Sequence, residues 1–176
     1  MTKLTILMLL ISCSTIQAKS RNLETVPYVD LNRYLGKWYE IARFENSFQK
    51  GCTATTATYT KRRDGDIKVL NECRLNTPQG TKKSAIGRAW ITNKHTNAKL
   101  KVQFFLRRFR IPLFSGNYWI LELDPDYQYV LIGEPSRKYL WILSRTPKID
   151  AYTYERLVEK AEELNFETSK LLKTIH

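Results

Sequence analysis

Histidine and cysteine are scarce in this chain of 176 residues, which has two of the first and three of the second. His95 and His176 stand far apart in sequence and neither lies in a cluster of metal-ligand spacing, which argues against a metal centre. The seven glycines build no Gly-rich phosphate loop, and none brackets a serine as Gly-x-Ser-x-Gly. The signatures of nucleotide binding and serine-type hydrolysis are therefore missing, and the reading is of a protein without a catalytic constellation or a cofactor. Long apolar runs are missing as well, since the stretch from Leu4 to Ile11 is too short to span a bilayer. No repeat or low-complexity segment interrupts the chain.

Acidic side chains are the other shortage. Asp and Glu number 17 against 29 Lys and Arg, a formal charge of +12 and a pI near 9.7. Such a surplus favours acidic partners: nucleic acid, an anionic membrane surface or anionic small ligands.

What is present begins with a leader. Lys3, the apolar stretch and the small polar residues after it read as a secretory signal spanning residues 1–18, cut after Ala18. A second scheme ends the signal at residue 12: Leu10-Ile-Ser-Cys13 is similar to a bacterial lipobox, with Cys13 acylated as the mature N-terminus. Either way the product is exported. It is expected at the outer membrane as a lipid-anchored protein if Cys13 is acylated, and periplasmic or secreted otherwise. Residues 19–176 then form one domain. Beyond the leader only Cys52 and Cys73 remain, flanking a strand–turn–strand around Arg62-Arg-Asp-Gly65. A disulfide between them is expected, with two buried thiols as the alternative.

From Asn22 to Asn32 the chain reads as an extended lead-in. Apolar alternation then marks strands at Leu35–Glu45, Cys52–Lys61, Asp66–Arg74, Lys83–Thr92, Lys99–Arg107, Asn117–Asp124, Tyr127–Gly133 and Tyr139–Arg145, separated by turn residues. Eight up-and-down antiparallel strands close a barrel able to hold one small ligand, so the fold class is an all-β barrel. After Pro147 the period changes. Asp150 can cap a helix whose stripe is Tyr154, Leu157, Val158, Ala161 and Leu164, packed on the outside, and a last short strand covers Leu171–His176.

In the first strand, Gly36 and Trp38 share a face, and the indole is a plate able to close one end. Together with Gly36-Lys-Trp-Tyr-Glu-Ile-Ala-Arg43, the residues Phe44, Phe48, Gly51, Tyr118-Trp-Ile-Leu121, Leu123-Asp-Pro-Asp-Tyr127 and Tyr139-Leu-Trp-Ile-Leu-Ser-Arg-Thr-Pro147 are similar to the lipocalins. Within that family the resemblance is to the bacterial outer-membrane lipocalins and apolipoprotein D, with one departing turn at Pro125. It implies that Arg145 lies under the barrel against Trp38, so Gly36, Trp38 and Arg145 form a floor. Parity from these residues turns Leu143, Trp141, Tyr139, Ala42 and Phe44 inward. The family's pocket pattern adds Tyr59, Asn71, Phe104 and Tyr118.

With the floor set, the loops near 46–51, 75–82, 108–116 and 134–138 form the mouth. Lys50, Arg74, Lys82, Lys83, Arg107, Arg108, Arg110, Arg137 and Lys138 fall there, against Glu45, Glu72 and Glu134. A basic rim centred on Arg107, Arg108 and Arg110 is expected to hold an anionic head group or dock on an anionic leaflet. The ligand implied is a fatty acid or a (lyso)phospholipid, carried or stored at the bacterial cell envelope. The alternatives are another hydrophobic compound such as a tetrapyrrole, or turnover of a lipid ester. Nucleic acid is not the expected partner, because the aromatics fall at inward parity and form no exposed stacking platform. The protein is expected to be a monomer or a weak homodimer.

Overall fold

Turn residues every eight to twelve positions leave the chain little choice but antiparallel neighbours, and the computed structural model, which describes residues 22–176, shows that outcome. A single helical turn, α1 (Leu31–Tyr34), precedes β1 (Gly36–Phe44), β2 (Cys52–Lys61), β3 (Ile67–Leu75), β4 (Lys82–Ile91), β5 (Lys99–Gln103), β6 (Gly116–Leu123), β7 (Tyr129–Gly133) and β8 (Leu140–Ser144). Helix α2 (Ala151–Glu163) and the short β9 (Leu171–Lys173) follow. Each strand pairs antiparallel with the next, β8 pairs with β1, and β1 pairs with β2, so the eight strands close.

The closure is uneven. β1 pairs with β2 only from Gly36↔Tyr59 to Tyr39↔Thr56. Toward the mouth the two strands part, and the C-terminal segment enters the gap. β9 pairs with Ala42–Phe44 of β1, Thr174 N–H donates to Ile41 O at 2.9 Å, and Ala54 N–H donates to Ile175 O at 2.6 Å. The expected final strand is thus regular only to Lys173, and the residues after it form a seam.

Two cores result. Inside the barrel's lower half lie Trp38, Tyr59, Val69, Leu100, Ile120, Val130, Ile132 and Leu143. Outside, Leu157 and Ala161 of α2, with Phe166, bury Leu121, Leu131, Leu140 and Ile142 of the sheet. Asp150 caps α2, accepting from Thr153 N–H at 2.9 Å and Thr153 Oγ1 at 2.8 Å. α1 was not foreseen in the lead-in; Asp30 accepts from Asn32 N–H at 2.8 Å and starts that turn beneath the barrel.

Cys52 and Cys73 are bonded, joining β2 to β3 with their Cα atoms 5.4 Å apart and a sequence separation of 21. Closing a loop of that length removes unfolded-state entropy equivalent to about 3 kcal/mol. Cys52→Ser with Cys73→Ser is therefore expected to lower the unfolding free energy by about that amount in urea titrations. A midpoint equal to that of the oxidised protein would refute the estimate.

Candidate binding cavity

The floor is built first by β1 and β8. Trp38 is fully buried, and its Nε1–H donates to Tyr34 O at 2.9 Å. The Arg145 guanidinium lies 3.8 Å from the indole centroid. It also donates to Lys37 O at 2.9 Å, Arg33 O at 2.7 Å and Tyr127 O at 3.2 Å. Gly36 has φ +96°, and a Cβ there would stand 3.3 Å from an Arg145 nitrogen, so both conformation and space favour glycine. A cation over an indole face, fixed by four carbonyls counting the weaker bond to Tyr34 O at 3.3 Å, shuts this end of the barrel.

Above the floor the lumen narrows around three phenols. Tyr34 and Tyr118 hydroxyls are 2.6 Å apart, and Tyr59 and Tyr118 hydroxyls 2.9 Å apart. Burial pushes Tyr34 and Tyr118 well above the ordinary phenol range and Tyr59 up to about 12, so all three stay protonated at physiological pH. Tyr59, Tyr118, Asn71 and Phe104 from the sequence-based set all line this chamber of about 110 Å³, with Ile67, Val69, Leu100 and Val102. It shares Phe48, Gln49, Thr55, Asn71, Val102, Phe104 and Trp141 with a wider vestibule of about 760 Å³, so the two form one funnel.

One wall of the funnel is polar. Glu40 is almost fully buried, and its carboxylate accepts from Arg43 at 2.8 Å, Thr174 Oγ1 at 2.7 Å and Gln49 Nε2 at 2.6 Å. Gln49 Oε1 in turn accepts from Trp141 Nε1 at 3.0 Å. Arg43 also donates to Cys52 O at 3.3 Å. This network ties the mouth turn, β8 and the C-terminal seam together. None of Tyr34, Glu40, Arg43, Gln49 and Thr55 was among the expected site residues. For Glu40 a signal existed: it shares parity with Trp38, one step further along the same face.

Phe44 needs correction. It was expected to face in, but it packs in the outer core, edge-on to Phe166 with ring centroids 6.2 Å apart, and Ala42 lies there too. The reason is a bulge between Glu40 and Ala42 in the β1–β8 pairing, which inserts one residue and reverses the face of everything after it. β8 carries no bulge in its pairing with β7, and Trp141 and Leu143 line the chamber as parity predicts. Tyr139 precedes β8 and lines only the vestibule, 37% exposed, stacked on Trp141 at 5.8 Å and facing Phe48 at 5.8 Å.

The basic rim is also rearranged. β5 stops at Gln103, four residues before the predicted end at Arg107, because the buried Gln103 side chain turns the chain back. Its Nε2 donates to Phe105 O at 2.5 Å and Leu106 O at 3.0 Å, and its Oε1 accepts from Ile111 N–H at 2.9 Å. The loop folds down the outer wall over β4. Arg88 donates to Arg108 O at 2.9 Å, Arg107 donates to Ile86 O at 2.9 Å, and Arg110 forms an ion pair with Asp66 near the closed end. Arg110 is therefore removed from the mouth, and Lys82 is neutralised by Glu72. The vestibule is edged instead by Phe48, Phe104, Phe105, Phe114 and Tyr139, with Lys83 among them.

The family model for lipocalin-like domains matches residues 29–176. Temperature-induced lipocalin-1 of Arabidopsis thaliana is 46% identical over 159 residues, covering 89% of this chain and 84% of that protein. Outer membrane lipoprotein Blc of Vibrio cholerae is 40% identical over 144 residues, 81% of this chain and 80% of that one. Insecticyanin from the tobacco hornworm Manduca sexta superposes with a TM-score of 0.69 at 20% identity, over 90% of this chain and 86% of that one, a likeness of fold. The shared stretch contains the floor, the funnel and the outer helix alike: the chain belongs to the lipocalin family.

Proposed function

We propose that this chain, a member of a family that in general binds and transports small hydrophobic molecules, holds a fatty acid or a lysophospholipid, tail in the chamber and head in the vestibule, and carries or stores it at a membrane. The observation that carries the reading is the funnel: an apolar chamber, shut below by Trp38 and Arg145, that widens into an aromatic mouth. Lys83 is the cation best sited for an anionic head group, since it lines the vestibule itself. Phe105 and Phe109, each 66% exposed, and Leu113, 85% exposed, stand beside Arg107 and Arg108 on the loop after β5. That mixture suits contact with an anionic leaflet, where apolar side chains insert and each cation adds about 1 kcal/mol. A relative named as an outer membrane lipoprotein supports an exported, lipid-anchored form. Cys13 and the signal at 1–18 lie outside the described residues.

Titration followed by tryptophan fluorescence tests this, because Trp141 lies at the throat. Palmitate and a lysophospholipid are expected to quench or shift the emission with micromolar or tighter affinity, and absence of saturable binding by both would end the lipid reading. The stacked Tyr139–Trp141 pair beside Phe48 also suits a flat ring system, so a tetrapyrrole is the comparison ligand. In flotation assays, Phe109→Ser with Leu113→Ser is expected to reduce binding to anionic vesicles.

A further inference from the structure

Two features of the funnel do not suit a plain hydrocarbon tail. The first is a pair of buried polar atoms at its waist, Thr55 Oγ1 and Asn71 Oδ1, which have no hydrogen-bond partner among the described residues. Both residues line the chamber and the vestibule, and Thr55 is only 6% exposed. Buried polar atoms are almost always paired, so two in one cavity mark a place where something else bonds. Asn71 stands opposite Ala57, two residues mouthward of Tyr59, which puts the waist roughly 7 Å along the strand from the Tyr59 level.

The second feature is the phenol cluster. Three hydroxyls carry three protons but share two hydrogen bonds, so one O–H is always left to donate elsewhere. All three phenols line the chamber, and their raised pKa values keep that donor in place. The funnel thus offers a neutral donor deep down and, among its lining residues further toward the mouth, a hydroxyl and an amide oxygen that can only accept.

A carboxylate does not suit the deep station. The phenols there are buried in a largely apolar chamber, where burial disfavours the charged form of a carboxyl group. We propose that the lumen selects amphiphiles whose buried tail carries a neutral oxygen, a hydroxyl or a keto group, over the same chain without one. This rests on the fatty-acid reading above. A keto oxygen would accept from the free phenol, and a hydroxyl would donate to Asn71 Oδ1 while accepting from Thr55. A site built to bond an oxygen discriminates strongly against the analogue lacking it.

The test compares palmitic acid with hydroxy- and keto-hexadecanoic acids substituted at mid-chain and near the methyl end. At least one oxygenated acid is expected to bind roughly tenfold more tightly than palmitic acid. Thr55→Val and Asn71→Leu, each first shown to unfold near the wild-type midpoint, are expected to erase a mid-chain preference, read as the ratio of the oxygenated acid's affinity to that of palmitic acid in the same variant. Thr55→Val is nearly isosteric and serves should Asn71→Leu fail to fold. Equal affinity for all the acids in the wild type, or a mid-chain preference untouched by both variants, would overturn the inference and leave the lipid reading standing. Failure of every acid to bind would overturn the inference together with the fatty-acid reading on which it rests.

Discussion

Trp38→Ala is expected to lower the unfolding free energy by about 3–5 kcal/mol, the range for emptying a large aromatic site in a core. For a domain of this size that corresponds to roughly 10 °C in midpoint. The indole is fully buried, packs at 5.1 Å against Tyr34, and supplies the face on which Arg145 lies. Its loss removes one plate and frees the layer above and below it. Neighbours cannot collapse into the space, because Tyr34 is pinned by its hydroxyl to Tyr118 and by its carbonyl to Arg145. Arg145→Lys is expected to cost less but still measurably, since an ammonium cannot span the carbonyls of Arg33, Lys37 and Tyr127 at once. Ligand contacts lie one layer higher, so affinity should move less than stability. A Trp38→Ala midpoint within 2 °C of wild type, about the shift of a single weak contact, would show that the floor contributes little.

Arg43→Ala is expected to have the second large effect, again about 3–5 kcal/mol, by leaving the Glu40 carboxylate buried without its counter-ion. The two side chains are 9% and 3% exposed, so water cannot make good the loss. The expected signature is that Arg43→Met combined with Glu40→Leu is much less damaging than Arg43→Ala alone, because paired removal of a buried ion pair is often neutral. Denaturant titrations of the single and double variants measure the coupling. If the double variant is as unstable as the single, the damage comes from the hydrogen bonds to Gln49 and Thr174, and the charge pair itself matters little.

Much of this molecule is legible in the residues. Alternation and turn chemistry mark each strand of the barrel, and the change of period after Pro147 marks α2. The pairing of Trp38 with Arg145 came from the family resemblance and the polarity of a guanidinium over a ring. The turn between Cys52 and Cys73 makes them neighbours across a hairpin, and they are joined. The resemblance to the bacterial outer-membrane lipocalins holds, with a bacterial relative 40% identical, and a plant lipocalin 46% identical widens it.

The losses have a common cause. A bulge at Ile41 carries no mark in the local composition, yet it turns Phe44 from lumen to outer core. The path of the loop after Gln103 depends on an amide satisfying several backbone groups at once and on Arg110 meeting Asp66, 44 residues away. The unpaired Thr55 and Asn71 are visible only once every neighbour is in place. By itself, then, the sequence determined the barrel, because this follows from periodicity and from turn residues near in the chain, while its family and its closed end came through the resemblance carried by its motifs. Only the tertiary structure decided which side chains see the lumen, where the cations lie and which polar atoms remain for a ligand, because those depend on register and on partners that the linear order does not bring together.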